Sequence, residues 1–409
     1  MKVHKKILGS IALSSLLLIG FSGCGSDDTA AAPAAAESTI SPYQRIAVLS
    51  GTWAEVPAVA DTIASYVVTT DESNVSGLGY PTNWVVAGAN PASGETYETT
   101  DLLPIPGMGS AITGTSRVIE LCNGAYATQA TNTGRFHGSA LPCEVSVHSD
   151  GTNIYVDMLD ADAIFSVFFS DLNDTQKTGL KSVASQVKSE IRGMVVAALD
   201  DNNETYTEST LAMGPKWDTA DIERLSYKSP YTVYSYKLQS GAAFVKGTDD
   251  KALAAKIIEI LGDDTSTAEN RVPGLSNASA WRSGRPEPLA IPGVFVAEAC
   301  SPKYAKMATK LGNEYITALP CEITVYVDEN DPTGETLSIS FLNPNFMFGT
   351  MFEGAVEKAL ADEVLTKADA VLYSTLADKV FADLRMIVDE AVQTSSLGTL
   401  VTTPVIVAP

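Results

Sequence analysis

Four cysteines stand in two matched settings. Cys122 and Cys143 are 21 positions apart, and so are Cys300 and Cys321. The second member of each pair sits in nearly the same phrase, ALPCEVSV at 140–147 and ALPCEITV at 318–325. Cysteines held at one interval permit three chemistries. A disulfide within each half would close a loop and stabilise it by about 3 kcal/mol. A working dithiol could carry out redox or sulfur-handling chemistry. Cys122 and Cys300 each precede a predicted helix N-terminus, whose partial positive charge favours thiolate. Glu120, Glu144, Glu298 and Glu322 flank the cysteines, where carboxylates would oppose a thiolate or relay its proton. No C-x-x-C is present. A metal centre is the third possibility, with His137 and His148 near Cys143. The aligned residues of the second half are Tyr315 and Tyr326, so no metal or other cofactor is expected. The chain has 3 histidines, one of them His4 near the N-terminus, which gives Ser/His/Asp catalysis little to stand on. No catalytic residue is assigned.

The repeated cysteine frame belongs to a longer duplication. VIELCNGAYATQATNTGRFHGSALPCEVSVH at 118–148 aligns without a gap on VAEACSPKYAKMATKLGNEYITALPCEITVY at 296–326, with roughly 14 identities in 31. Fainter echoes flank it: SPY at 41–43 and 229–231, LPIPG at 103–107 and LAIPG at 289–293, MLDADAIF at 158–165 and FLNPNFMF at 341–348. The expected domains are a first unit at 41–200, a joining segment at 201–228, a second unit at 229–395 and a tail at 396–409.

Each unit must position its cysteines with the same series of elements. Thr52 and Glu55 have capping-box spacing and predict a first helix despite Pro57. In the second unit Leu253, Ile257 and Leu261 share one helical face. A Gly/Pro/Ser/Thr-rich region follows, carrying Trp84 or Trp281, which either lines a ligand pocket or plugs its own loop onto the core. A strand then ends at the first cysteine. Asn123 and Ser301 are good helix N-caps, with Pro302 at the first helical position, and Gly134 or Gly312 ends that helix. In the ALPCE strand Cys143, Val145 and Val147 alternate onto one face, as do Cys321, Ile323 and Val325. If this strand and the one before it are antiparallel neighbours, end meets start and the two sulfurs can approach. A closing amphipathic helix is predicted at 174–199 and at 365–392. The fold expected is α+β: two tandem homologous units, each a mostly antiparallel sheet packed with helices, paired pseudo-symmetrically.

VIELCN and VAEACS, each followed about twenty residues later by LPCEVSVH or LPCEITVY, resemble the pattern of the domain-of-unknown-function 302 family. The resemblance covers both units. It implies small α+β domains with no established activity, in which the cysteines mark a subgroup. It also gives a weak link to bacteria that handle reduced sulfur.

The chain opens MKVHKKILGSIALSSLLLIGFSGC: three lysines, an apolar run at 7–21, then FSGC. The run is shorter than the roughly 20 residues that span a bilayer, so 1–23 reads as a signal peptide. FSGC resembles a lipobox with Phe21 in the usual leucine place, which makes Cys24 the expected lipidation site. Residues 24–40 form a flexible tether of small residues. Gly25 rather than aspartate points to the outer membrane. The net charge is −22, and about −25 without residues 1–23. A surface this acidic repels phosphate backbones and excludes nucleic acid as a partner. The expectation is therefore a lipid-anchored envelope protein with a disulfide-stabilised binding or scaffold function and an unknown ligand. The alternative is periplasmic thiol-redox or sulfur-handling work.

Overall fold

Alternation along each strand decides which face every side chain takes, and in this chain both faces of both sheets are used. The computed structural model describes residues 39–69, 84–90, 116–141, 143–261, 281, 283, 287–318, 321–328 and 330–403. The signal segment 1–23, Cys24 and the tether as far as residue 38 lie outside the described residues.

The first unit runs β1 (Tyr43–Ser50), α1 (Val56–Thr69), β2 (Trp84–Asn90), β3 (Ser116–Asn123), α2 (Gly124–Thr131), β4 (Cys143–Ser149), β5 (Asn153–Leu159), α3 (Ala161–Phe168) and α4 (Asp174–Asp201). The expected joining segment carries β6 (Tyr206–Glu208), β7 (Ala212–Met213) and α5 (Thr219–Ser226). The second unit has β8 (Tyr231–Leu238), α6 (Asp249–Leu261), β9 (Leu289–Ile291), β10 (Val294–Ala299), α7 (Pro302–Leu311), β11 (Cys321–Val327) and β12 (Leu337–Leu342). It closes with α8 (Pro344–Thr350), α9 (Ala355–Ala361), α10 (Lys367–Tyr373) and α11 (Leu376–Thr394), followed by β13 (Leu400–Thr403). A 3₁₀ segment precedes the cysteine-bearing strand in each unit, Arg135–Ala140 and Asn313–Ala318.

The strand orders are β2-β3-β4-β5-β1-β6, with β7 also on β1, and β13-β8-β12-β11-β10-β9. Every pairing between strands is antiparallel. The joining segment is thus an edge of the first sheet, and residues 400–403 of the expected tail are an edge of the second.

Thr52 and Glu55 form their capping box and lead through a 3₁₀ turn into α1. The N-cap Asn123 accepts from the backbone N–H groups of Ala125 and Tyr126. Helix α4 is continuous over 28 residues. Its counterpart, expected as one helix over 365–392, breaks between α10 and α11. There the Ser374 and Thr375 hydroxyls bond the carbonyls of Val371 and Leu372, a local competition that weakens helix continuation.

Outward-facing residues make the helix-covered cores. Ile119, Leu121, Val145, Val147 and Val156 pack with Ile63 of α1 and Ile191 and Val195 of α4. Ala297, Ala299, Ile323, Val325 and Ile339 do the same with Leu253 and Ile257 of α6 and Leu384 and Val388 of α11. Inward-facing residues of the two sheets meet each other: Cys122 clusters with Val294, Val296 and Tyr326, and Val118 with Cys300 and Ile316.

The two 3₁₀ segments cross this seam in opposite directions. Arg135–Ala140 lies on β10, β11 and β12, and Asn313–Ala318 lies on β3, β4 and β5. Ser139 Oγ donates to Thr324 Oγ1 at 3.1 Å, and the aligned pair, Thr317 and Ser146, share a 2.6 Å bond. Tyr43 of the first SPY donates to the Met351 carbonyl at 3.2 Å, while Tyr231 of the second donates to the Phe168 carbonyl at 2.8 Å. Equivalent residues therefore make equivalent bonds both ways. The sequence repeat is a spatial repeat about a pseudo-twofold.

Candidate functional site

Disulfides were expected within each unit, and among the described residues none forms: Cys122, Cys143, Cys300 and Cys321 are all thiols. The antiparallel premise holds, but the register does not bring the sulfurs together. Cys143 is paired with Leu121 and Cys321 with Ala299, so each partner cysteine lies one residue further on. Successive side chains alternate faces, and a one-residue offset sends the two thiols to opposite sides of the sheet. Cys122 and Cys300 turn into the seam, whereas Cys143 and Cys321 pack toward the helix side. Burial, then the adjacent Glu144 and Cys122, push the Cys143 thiol well above its ordinary value. Burial, then Glu322, push Cys321 up to about 12. Neither is poised to be a thiolate at neutral pH.

The two tryptophans do the same job in each unit. Trp84 Nε1 donates to Glu190 Oε2 at 2.7 Å and Tyr126 Oη donates to Glu190 Oε1 at 2.6 Å. In the second unit Trp281 Nε1 and Tyr304 Oη both donate to Asp383 Oδ2, each at 2.9 Å. The rings meet edge to face, 6.2 Å apart for Trp84 and Tyr126 and 5.9 Å for Trp281 and Tyr304. Each tryptophan so fastens the start of its segment to the closing helix, the plugging role weighed above. Trp84 also lines a pocket.

That pocket has a volume of about 90 Å³ and lies between α2, α3, α4 and the β3–β4 end of the first sheet; Trp84, Cys122, Tyr126, Cys143, Phe165 and Leu180 help line it. Asn123 is on its wall too. The Asn123 Oδ1 is committed to the α2 cap at 3.0 and 3.3 Å, and its Nδ2 is buried without a hydrogen-bond partner. The pocket lining is thus mostly apolar, with the buried, unpartnered Nδ2 belonging to a residue of its wall. In the second unit Tyr373, at the end of α10 just before the helix break, stands ten residues before the acceptor Asp383, as Leu180 stands ten before Glu190. Tyr373 is buried, and its hydroxyl donates to the Met307 carbonyl of α7.

The four glutamates all turn into the seam. Glu120 is the register partner of Glu144, and Glu298 of Glu322. Their exposures are 2%, 5%, 2% and 4% respectively. Burial comes first among the causes that raise Glu120, Glu144 and Glu322 well above the ordinary carboxyl range, and carboxyls across the seam add to it. The sequence brings these residues to notice only as neighbours of cysteines. Their alternation with the cysteines was legible, but that the two sheets present these faces to each other was not.

The histidines have structural partners. His137 bridges Thr133 and Asp171 at 2.8 and 3.1 Å. His148 Nε2 meets Asp157 at 2.7 Å, and Asp157 also accepts twice from Arg45, at 2.8 and 3.1 Å. Nothing in the spacing of Asp157 and Arg45 marks them in the sequence. Among the described residues no three His, Cys, Asp or Glu side chains are grouped to hold a metal ion.

Comparison with known proteins agrees with the duplication. The model of a family described as "Domain of unknown function DUF302" matches twice, at residues 109–198 and 288–375. Among solved structures, the crystal structure of an uncharacterized conserved protein DUF302 from Bacillus stearothermophilus aligns at 16% identity. It covers 39% of this chain and 95% of that one, with a TM-score of 0.26. A score that low adds nothing to the fold argument, which rests on the strand register and the two family matches. Among curated proteins nothing matches the chain. The two tandem α+β units, with their shared cysteine and glutamate frame, each match the DUF302 family model.

Proposed function

We propose that the protein is a non-enzymatic binding module of the bacterial envelope, held there by lipid on Cys24. Its first unit takes up a small apolar molecule that carries one hydrogen-bond acceptor. The observation that supports this reading is the pocket beside α2, with Asn123 Nδ2 as its unused buried donor. A buried donor without a partner costs about 1–3 kcal/mol, which a ligand acceptor would relieve. The volume of about 90 Å³ is well below the roughly 300–1,000 Å³ of sites for drug-sized molecules. The bound part is therefore a few heavy atoms. For about four atoms at no more than roughly 1.5 kcal/mol each, affinity reaches tens of micromolar at best. The thiol-redox alternative is disfavoured by the raised Cys143 and Cys321 and by the opposed faces of each pair.

Acetone and isobutene have the same shape and differ in the acceptor, so they test the reading directly. NMR titration of the mature chain should show acetone shifting the Asn123 side-chain amide and the pocket methyls, and binding about tenfold more tightly than isobutene, the worth of one hydrogen bond. If neither molecule moves those resonances at high millimolar concentration, the pocket is not a binding site. Labelled palmitate should enter the wild-type chain in a bacterial host and be absent from Cys24→Ser; incorporation by that variant would refute the anchor.

A further inference from the structure

We infer that Glu120, Glu144, Glu298 and Glu322 bind protons as paired carboxyls across the seam, and that protons held there keep the two units packed. This rests on the seam and not on the pocket. Two carboxyl groups come from each unit, on paired strands, and all four are at least nine-tenths buried. Glu120 hydrogen-bonds Glu298 across the seam. An ionised carboxylate only accepts, so that bond requires a proton on one of the two. Glu120 Oε1, Glu144 Oε2 and Glu322 Oε1 are buried with no hydrogen-bond partner. As bare carboxylates they would each carry an uncompensated buried charge; as acids they carry none.

The charged groups around the seam have partners of their own. Arg45 of β1 and His148 of β4 converge on Asp157. Arg117 of β3 turns to the other face and bonds Asp61 of α1. From the 3₁₀ segments, Arg135 reaches Asn132 and the Pro292 carbonyl, and His137 reaches Asp171. Lys310 of α7 faces Asp369. Lys306 of α7 is held below its ordinary value by burial. Other titratable neighbours are Tyr43, Tyr315, Tyr326, Glu314 and the cysteines, none of which supplies positive charge; indeed Glu144 is among the groups that raise Tyr43. Among the described residues no three His, Cys, Asp or Glu side chains are grouped to hold a metal ion, so the seam carboxyls meet in pairs and not at one point.

The repeat adds an independent argument. Outside roughly 14 shared positions in 31 the copies have diverged, yet both seam glutamates persist in each, although a neutral residue would pack there at lower cost.

The sign follows from linkage. These carboxyls keep their protons in the folded state at pH values where the unfolded chain has lost them. Their stabilising effect is whole below the ordinary glutamate range and is lost as pH rises toward the raised values. Each one that stays protonated lowers the folding equilibrium constant up to tenfold per pH unit across that window.

The experiment compares the mature wild-type chain with E120Q/E144Q/E298Q/E322Q. The wild type should lose urea resistance steadily from pH 5 to 8 and release protons when unfolded at pH 7. The variant should show a flatter profile, release fewer protons, and be the more stable of the two at pH 8. Parallel pH profiles would overturn the proposal. Should the variant fail to fold, proton release from the wild type alone decides the matter: release supports the site and none refutes it. Adding Mn²⁺ or Ca²⁺ to the wild type is the last arm. Stabilisation by the metal with loss of proton release on unfolding would mean the seam is a cation site, against the proposal.

Discussion

The two units share every strand of the cysteine frame and the tryptophan–tyrosine–carboxylate clasp, yet they spend their interiors differently. The first keeps an apolar pocket beside α2 and a buried Arg45–Asp157–His148 cluster facing the seam. The second has Tyr373 where Leu180 would be and Tyr326 where His148 would be, and both tyrosines are buried. On the proposed reading the same scaffold supports one half that is open to a ligand and one in which Tyr373 fills the space. On that reading duplication frees one copy from binding while its sheet still completes the seam.

The largest expected difference between the copies lies in the clasp. Asp383 holds Trp281 and Tyr304, both buried, through a single oxygen. Asp383→Ala removes the acceptor shared by two buried donors and should cost about 3–5 kcal/mol. Glu190→Ala should cost about 2 kcal/mol, because Tyr126 is half-exposed and can turn its hydroxyl to water. Urea denaturation of the two variants measures both losses. Equal losses would show that the filled unit is no more dependent on its clasp than the open one.

Next in size is the exchange of the residue that separates open from filled. Tyr373→Leu removes buried volume and the hydroxyl bond to α7, at an expected cost of about 2–4 kcal/mol. It should also create an acetone site in the second unit. Leu180→Tyr should fill the first pocket, abolish acetone shifts there and leave stability within about 1–3 kcal/mol of wild type. Retained binding in Leu180→Tyr would mean the pocket lies elsewhere.

What could be seen in the sequence follows from which forces are local. The caps at Thr52 and Asn123, the apolar face of α6 and the alternation in the ALPCE strands depend on near neighbours, and the sequence displays them. The duplication was legible for the same reason that the fold repeats, since equivalent residues make equivalent bonds. Two things were not legible. The offset between Leu121 and Cys122 is a matter of strand register, and one residue turns a predicted disulfide into thiols on opposite faces. The 3₁₀ segments after α2 and α7 carry no period of their own, yet they make the crossed contacts that lay each unit against the other's sheet.

The charged cluster of the first unit gives a smaller, pH-dependent contrast. Although burial opposes it, hydrogen bonds and charge from His148 and Arg45 hold the Asp157 carboxyl below its ordinary value. Its stabilising effect is present above the ordinary aspartate range and is lost as pH falls through the depressed value. Asp157→Asn should therefore cost about 1–3 kcal/mol at pH 7 and flatten the acid limb of the stability profile below pH 4. The aligned Ser340 shares a 2.9 Å bond with Ser139 and carries no charge, so Ser340→Ala should leave that limb unchanged. An acid limb identical in wild type and Asp157→Asn would show that the cluster contributes packing alone.

The smallest effects should come from the residues that drew attention first. Cys143 and Cys321 occupy equivalent positions, each followed by a seam glutamate and each raised by burial. With so little thiolate at pH 7, both should react with iodoacetamide on the order of a hundredfold more slowly than an unfolded cysteine. Cys143→Ser and Cys321→Ser should each shift stability by only about 1 kcal/mol, since a small weakly polar group replaces another. Cys143 borders the pocket and Cys321 has no such opening described, so bound acetone should slow alkylation of Cys143 and leave Cys321 alone. Fast alkylation of either residue in the folded protein, or a gel shift on reduction, would reopen thiol chemistry for the unit that shows it.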